Sequence, residues 1–445
     1  MRSLIRVGHV LTAVAFTASL AVAAPAGAGT TPRWSPRVDN PYVGARVYAN
    51  PDWSVRADAE PGGHAVSDQP TGVWLDNTLS IQGWNGRLGL REHLDAALGQ
   101  DADVVQLVLH NLPGRDCGRL SSNGDLGPDD LPRYRQEFID PIASIVAEPA
   151  YRNLRIVTVV EPNAVAFLVT HVSPRPSATA ACDQIKARGT YVEGIGYALA
   201  KLGRIGNVYS YLDIGHHGTL GWRDNRLAAR DVLVSAATLG GSTKANVHGF
   251  IANVADYSAL REEFLVKTSV NGTSILQSRW VDWNDFVDEL SYVDGFRREL
   301  VAVGFGENAG VLIDTSRNGW GGPNRPTAPG PETSVDAYVD GGRLDRRLLI
   351  SNWCNQTGTG LGERPVAAPA PGVDAYVWMK PPGESDGASI PLPNGEGTFE
   401  RMCDPTYDSG WGSPRPTGAW PDAPPVGRWH SAQFQGLLRN AHPPL

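Results

Sequence analysis

Seven carboxylates stand where strand-like runs end: Asp76 in WLDN, Asp116 in LHNLPGRD, Glu161 in VVEPN, Asp213 in LDIGHHG, Asp314 in IDTSRNGWGG, and Glu384 and Asp386 in MKPPGESDG. Taken singly, such a residue is an ordinary helix cap or salt-bridge partner. Several of them converging on one cleft, with Trp74, Trp222, Trp320 and Trp353 close by in sequence, point to carbohydrate chemistry. Indole offers a flat apolar face to the C–H side of a sugar ring. Glycosidic bonds are typically cut by two carboxyl groups, one protonating the leaving oxygen and one assisting water.

Other chemistries fit less well. Gly383-Glu384-Ser385-Asp386-Gly387 matches the GxSxG pattern of serine hydrolases, which requires a strand, a tight turn and then a helix. Here Pro381-Pro382 precedes the pattern and ASIPLPNGEG follows it, a run unfit to begin a helix. His216-His217 lacks HExxH or clustered carboxylate spacing, so no metal is expected, and one of the pair reads better as a hydrogen-bond donor to a polar ligand. No GxxxxGK[ST] or GxGxxG segment follows a strand, so no nucleotide cofactor is expected.

The elements that position these residues read as a parallel sheet. Apolar, β-branched runs recur at Gly72–Asp76, Asp103–His110, Leu154–Val160, Asn207–Asp213, His248–Val254, Gly310–Asp314 and Asp374–Met379. Helical patterns lie between them at Leu126–Ala147, Gly189–Leu202, Asp224–Leu239 and Trp280–Val303. Continuous apolar strands alternating with helices predict an α/β fold, and seven or eight such units predict barrel-like closure. In such folds the carboxyl ends of the strands face the ligand, which is where the acidic residues and glycines cluster.

The 445 residues carry a net charge of -8, an acidic balance without a basic stripe that speaks against nucleic-acid or anionic-membrane partners. Residues 1–28 read as an export signal: Arg2 and Arg6, the apolar run Val10–Ala24, then Ala26-Gly27-Ala28. That run is too short to span a bilayer. Residues 29–40 are a polar lead-in and 41–445 a single large domain, expected to be secreted and monomeric. Four cysteines in an exported chain suggest two disulfides, with three pairings open.

At this point the chain resembles glycoside hydrolase family 6, the cellobiohydrolases and endoglucanases of β-1,4-glucan. The resemblance rests on LPGRDCGRLSSNGDLGPDDL (112–131), VTVVEPNAVA (157–166), YLDIGHHGTLGW (211–222), NWCNQTGTGLGERP (352–365) and VWMKPPGESDG (377–387). It runs from about Asn40 to the C-terminus and is nearest to the bacterial exo-acting subgroup. It implies a distorted parallel (β/α) barrel of seven or eight strands, with long loops enclosing a cleft or tunnel. It implies inverting hydrolysis and the disulfides Cys117–Cys182 and Cys354–Cys403.

By the same resemblance, Asp116 tunes the proton donor, Asp386 is the base or water-organising carboxylate, and Ser122 positions water. Trp74, Asp76, Asp213, His216, Trp222, Trp353, Lys380 and Glu384 hold the sugars, together with His110 and Asp256. Four positions depart from the family pattern. Asn163 stands at the proton-donor Asp, His110 at a Tyr, Thr219 at a Trp and Asp256 at an Asn. A carboxamide has no titratable proton near neutral pH. Two expectations follow: Asp116, with its pKa raised by burial, or His110 delivers the proton instead; alternatively, the chain is a secreted glucan-binding protein with a disabled site.

Overall fold

In the computed structural model, residues 37–121, 124–392, 399–408 and 415–445 are described. The export segment and most of the lead-in expected at 1–40 lie outside these residues, as does Ser122. The described residues belong to one compact unit.

Eight strands form one sheet: β1 (Val73–Leu75), β2 (Val104–Leu109), β3 (Arg155–Val160), β4 (Val208–Asp213), β5 (Gly249–Ala252), β6 (Val311–Asp314), β7 (Val366–Ala370) and β8 (Val373–Val377). Their spatial order is β1-β2-β3-β4-β5-β6-β8-β7. Seven are parallel, and only β7 runs antiparallel, against β8. A lone parallel bridge, Thr71 to Trp378, joins the two ends of the parallel set, with Gly72 N donating to Trp378 O at 3.0 Å. All seven expected strands are present, and the distorted parallel barrel is the fold.

The strands are apolar on both faces because both faces are covered. Val105, Leu107 and Leu109 of β2, Ile156 and Val160 of β3, and Val208 and Leu212 of β4 pack outward under the helices. The alternate residues Val104, Val108, Val157, Val159, Tyr209 and Tyr211 fill the interior, where Tyr42 from the N-terminal segment joins them. Register lines up the strand ends: Leu75 pairs with Leu109, Leu109 with Val160, Val160 with Leu212, and Asp213 with Ile251. The residues that follow these ends therefore emerge along one rim.

Helical elements differ from expectation at their starts. The helix expected from Leu126 begins at Leu131, after a turn in which Gly127 N donates to the Asp130 carboxylate. It is interrupted by a π-helical stretch, Tyr134–Ile139, just before Pro141, which lacks the N–H a regular turn needs. The helix expected from Trp280 begins at Glu289, because Asp288 caps it by accepting from Ser291 N at 2.9 Å. Gly189–Leu202 and Asp224–Leu239 are helical over Thr190–Leu202 and Arg223–Thr238. Strand β7 was unexpected. Pro369 and Pro371 argue against a strand, yet an edge position tolerates proline.

The disulfides Cys117–Cys182 and Cys354–Cys403 are both formed, spanning 65 and 49 residues. They brace the segments that carry Asp116 and Trp353. Among the described residues, no helix is long and apolar enough to cross a membrane.

Candidate active site

Two cavities of about 530 and 520 Å³ open along the rim of strand ends. Trp74, Asp76, Trp84 and Glu384 line the first. The second is lined by Asn163, Asp213, His216, Thr219, Trp222, Asp256 and Trp353, together with Arg119. A chain of contacts connects them. The Trp74 ring meets the His110 ring edge-on at 5.6 Å and lies 5.5 Å from Lys380 Nζ. His110 Nε2 reaches Asp116 Oδ2 at 3.4 Å, and Lys380 Nζ reaches Asp386 Oδ1 at 4.0 Å. Asp116 and Asp386 thus share one neighbourhood, each two contacts from Trp74.

Asp116 is buried in a left-handed backbone conformation, φ +51°, which an Asp tolerates better than most residues. Burial alone would favour its protonated form, but His110, Arg119 and Arg115 outweigh it and hold the carboxyl well below the usual carboxylate range. That shift runs opposite to the raised pKa that proton delivery by Asp116 would need. These neighbours win over desolvation. His110 is shifted the wrong way for an acid as well, because burial lowers its pKa more than Asp116 raises it.

Asn163 precedes the helix Ala164–Thr170 with φ +67°, and its backbone N–H donates to Asp213 Oδ2 at 2.8 Å. Asp213 Oδ1 accepts from Gly215 N at 3.2 Å. Burial, aided by Asp256 and Glu289, pushes the Asp213 carboxyl up to about 7 against these two hydrogen bonds. It stands at the wall of the second cavity beside the amide.

Asp386 is tied more heavily. Arg317 Nη1 donates to both its oxygens at 2.9 Å, Tyr257 Oη donates at 2.6 Å, and Asn355 N at 2.8 Å. Arg317 is itself buried, and Tyr257 lies beneath its guanidinium at 4.3 Å. Sequence reasoning missed Arg317, Tyr257 and Asn355. Two quoted segments carried a signal: NWCN places Asn355 two residues past Trp353, and IDTSRNGWGG places Arg317 three residues past Asp314.

Glu384 accepts from Arg87 Nη2 at 3.2 Å, with Arg56 Nη1 at 3.8 Å. Asp76 accepts from Asn77 Nδ2 at 2.8 Å. The indole N–H groups of Trp74 and Trp222 are anchored on Met379 O and Asp282 O at 2.9 and 2.7 Å, which fixes their rings at the cavity walls. His216 lines the second cavity, but its Nδ1 meets Ser258 Oγ at 2.8 Å and its Nε2 meets Asp256 Oδ2 at 3.1 Å. Both ring nitrogens are thus engaged by the protein. Asp256 is in turn paired with Arg347 Nη1 at 2.7 Å, and His216 and Arg347 hold its pKa down against burial. Thr219 Oγ1 turns back to His216 O at 3.1 Å.

Three sequence candidates lie elsewhere. Trp320 is not at the site: it is 1% exposed, donates to Tyr257 O at 2.6 Å and packs in the core. Glu161 and Asp314 are buried struts. Glu161 accepts from Asn111 N, Leu112 N and Tyr134 Oη, and Asp314 from Ala255 N, Ser316 N and Lys380 N. Ser385 of the GxSxG pattern is buried and donates to Pro424 O at 2.7 Å, and no helix begins in residues 386–392 after it. His217 is sealed against Glu289, Nδ1 to Oε1 at 2.6 Å. His216, His217 and Glu289 are the one set among the described residues whose ligand atoms lie within 4.8 Å of each other. Both histidines are already engaged within the protein, His217 through Nδ1 by Glu289 and His216 by Ser258 and Asp256.

A parallel barrel with a carboxylate- and indole-lined groove at its strand ends defines a carbohydrate-active α/β protein. The sequence model of "Glycosyl hydrolases family 6" matches residues 40–441, and the chain belongs to that family. Exoglucanase A of Cellulomonas fimi is 43% identical over 431 residues, covering 91% of this chain and 49% of that protein. The chain therefore spans about half the length of that relative. The 1,4-beta-D-glucan cellobiohydrolase CEL6C of Podospora anserina is 33% identical, covering 87% of this chain and 81% of its own. Among solved structures, the catalytic domain of Cellulomonas fimi Cel6B superposes with a TM-score of 0.87 at 42% identity, over 92% of this chain and 97% of that one. Cellobiohydrolase II (Cel6A) of Humicola insolens, in complex with glucose and cellotetraose, gives 0.69 at 28% identity, over 91% and 100%.

Proposed function

We propose that this chain is a secreted β-1,4-glucan hydrolase of family 6 whose groove binds cello-oligosaccharides but whose hydrolysis is impaired. Trp74, Asp76 and Glu384 hold sugars in the first cavity, and Trp222, Trp353 and His216 in the second. Lys380 stands between them at the point of cleavage. Asp386, oriented by Arg317, Tyr257 and Asn355, organises the attacking water for inversion. The Humicola relative's complex with cellotetraose supports a cello-oligosaccharide as ligand. Residues 1–28 carry the chain out of the cell, in keeping with its two disulfides.

One observation carries the impairment. Asn163 occupies the donor position on the cavity wall, while the carboxyl of Asp116, the alternative donor expected from the sequence, is shifted down by His110, Arg119 and Arg115. Loss of a general acid costs about 10²–10⁴ in rate. Binding does not need that proton. Calorimetric titration with cellotetraose is expected to show saturable binding in a protein that hydrolyses the same sugar slowly. A flat titration rejects the glucan reading. Rapid hydrolysis rejects the impairment. Binding with no turnover on any glycoside would make the chain a glucan-binding protein, the second reading favoured by the downward shift at Asp116.

A further inference from the structure

The Arg119 guanidinium lies on the Trp353 indole, with its central carbon 3.8 Å from the ring centre. The same group stands 5.5 Å from the Phe167 ring centre, and its Nη1 is 4.0 Å from Asp116 Oδ2. Both Arg119 and Trp353 line the second cavity. The segment carrying Arg119 is held at several points. Arg119 N donates to Asp116 O at 2.7 Å, Leu120 N donates to Glu400 Oε2 at 2.8 Å, and Cys117 is bonded to Cys182. The stack is therefore a placed feature of the groove wall.

A flat guanidinium at van der Waals distance uses the indole face just as a sugar ring does. Two planar groups cannot share one face. We propose that Arg119 is a specificity-determining residue that plugs the Trp353 platform, so that a neutral glucan stacks there only by displacing the guanidinium. This inference rests on the glucan reading above. A cation–π contact of this kind is worth the equivalent of about 2- to 30-fold in affinity, and a neutral sugar forfeits that factor on binding.

The test is calorimetric titration of wild type, Arg119→Ala and Arg119→Lys with cellotetraose, alongside indole fluorescence. The Ala variant is expected to bind about 2- to 30-fold more tightly, with a larger fluorescence change on saturation. The Lys variant, lacking a planar face, should fall between the two, and it carries the test alone if Arg119→Ala fails to fold. Wild-type binding with equal or weaker binding in the folded variants overturns the plug and makes Arg119 a sugar contact. No binding by any of the three, wild type included, overturns the glucan reading and this inference with it.

Discussion

Restoring the missing proton is the most informative perturbation. Asn163→Asp changes one amide to a carboxyl at a left-handed position, φ +67°, that both residue types tolerate. The backbone N–H keeps its bond to Asp213, so little folding free energy is at stake. Two influences set the proton affinity of the introduced carboxyl. The N-terminus of the helix Ala164–Thr170 favours the ionised form by about 0.3–1 kcal/mol, or about 0.2–0.7 of a pH unit. Half-burial and the neighbouring Asp213 carboxyl favour the protonated form. The second influence dominates in this corner of the site, since Asp213 itself is pushed up to about 7. The variant therefore carries a usable proton in mildly acidic solution. A recovered general acid predicts a gain of about 10²–10⁴ in kcat on cellotetraose, or about 3–5 kcal/mol of barrier. The assay is the initial rate of reducing-end release at pH 5. If the variant keeps the melting temperature and cellotetraose affinity of wild type and turns over no faster, Asn163 is not where the proton is missing.

Three other outcomes follow from the same geometry. Tyr257→Phe removes a 2.6 Å hydrogen bond to the buried Asp386 carboxylate, and should cost about 1.5–3 kcal/mol in denaturant unfolding. Replacing Cys354 and Cys403 with Ser opens a loop of 49 residues, lowering stability by about 4 kcal/mol on the chain-entropy model. The same change should weaken cellotetraose binding, because Trp353 loses its brace. The pH dependence of stability is set by buried groups of two kinds. Asp213 and Glu161, both raised to about 7, and Glu262, raised to about 8, are protonated when folded and ionised when unfolded above about pH 4. Their stabilisation is fully present below about pH 4 and is lost progressively as pH rises from there to 7–8. His171 and His248, both lowered to about 4, act oppositely and lose stabilisation as pH falls from 6.5 to 4. Above pH 6.5 only the carboxyls act, so the melting temperature should fall between pH 6.5 and 8.5 in a thermal scan.

The barrel was legible because its seven parallel strands are buried on both faces, and double burial writes an unbroken apolar run that needs no partner to be read. Strand β7 was hidden by its prolines, which only an edge position accommodates. Starts of helices were misread where a cap such as Asp288, rather than hydrophobic periodicity, fixes the boundary. At the site, motif spacing brought Asp116, Asn163, Asp386 and the indoles to one rim, yet Trp320 shared their sequence context and lies in the core. The charge state of Asp116 was not readable at all. It depends on His110, Arg115 and Arg119 folding back on a buried carboxyl, and burial alone would have predicted the opposite sign. The contacts of Arg317 and Tyr257 with Asp386 were invisible because they reach across 69 and 129 residues of sequence.

The sharpest test of the proposed impairment, with Asn163 at the donor position, is the dependence of wild-type rate on leaving group. A series of aryl β-cellobiosides with phenols of rising pKa should show kcat falling steeply along the series, since no acid assists departure of the poorer phenols. A rate that stays level across the series would mean that a protein group protonates the leaving oxygen, and would contradict the account.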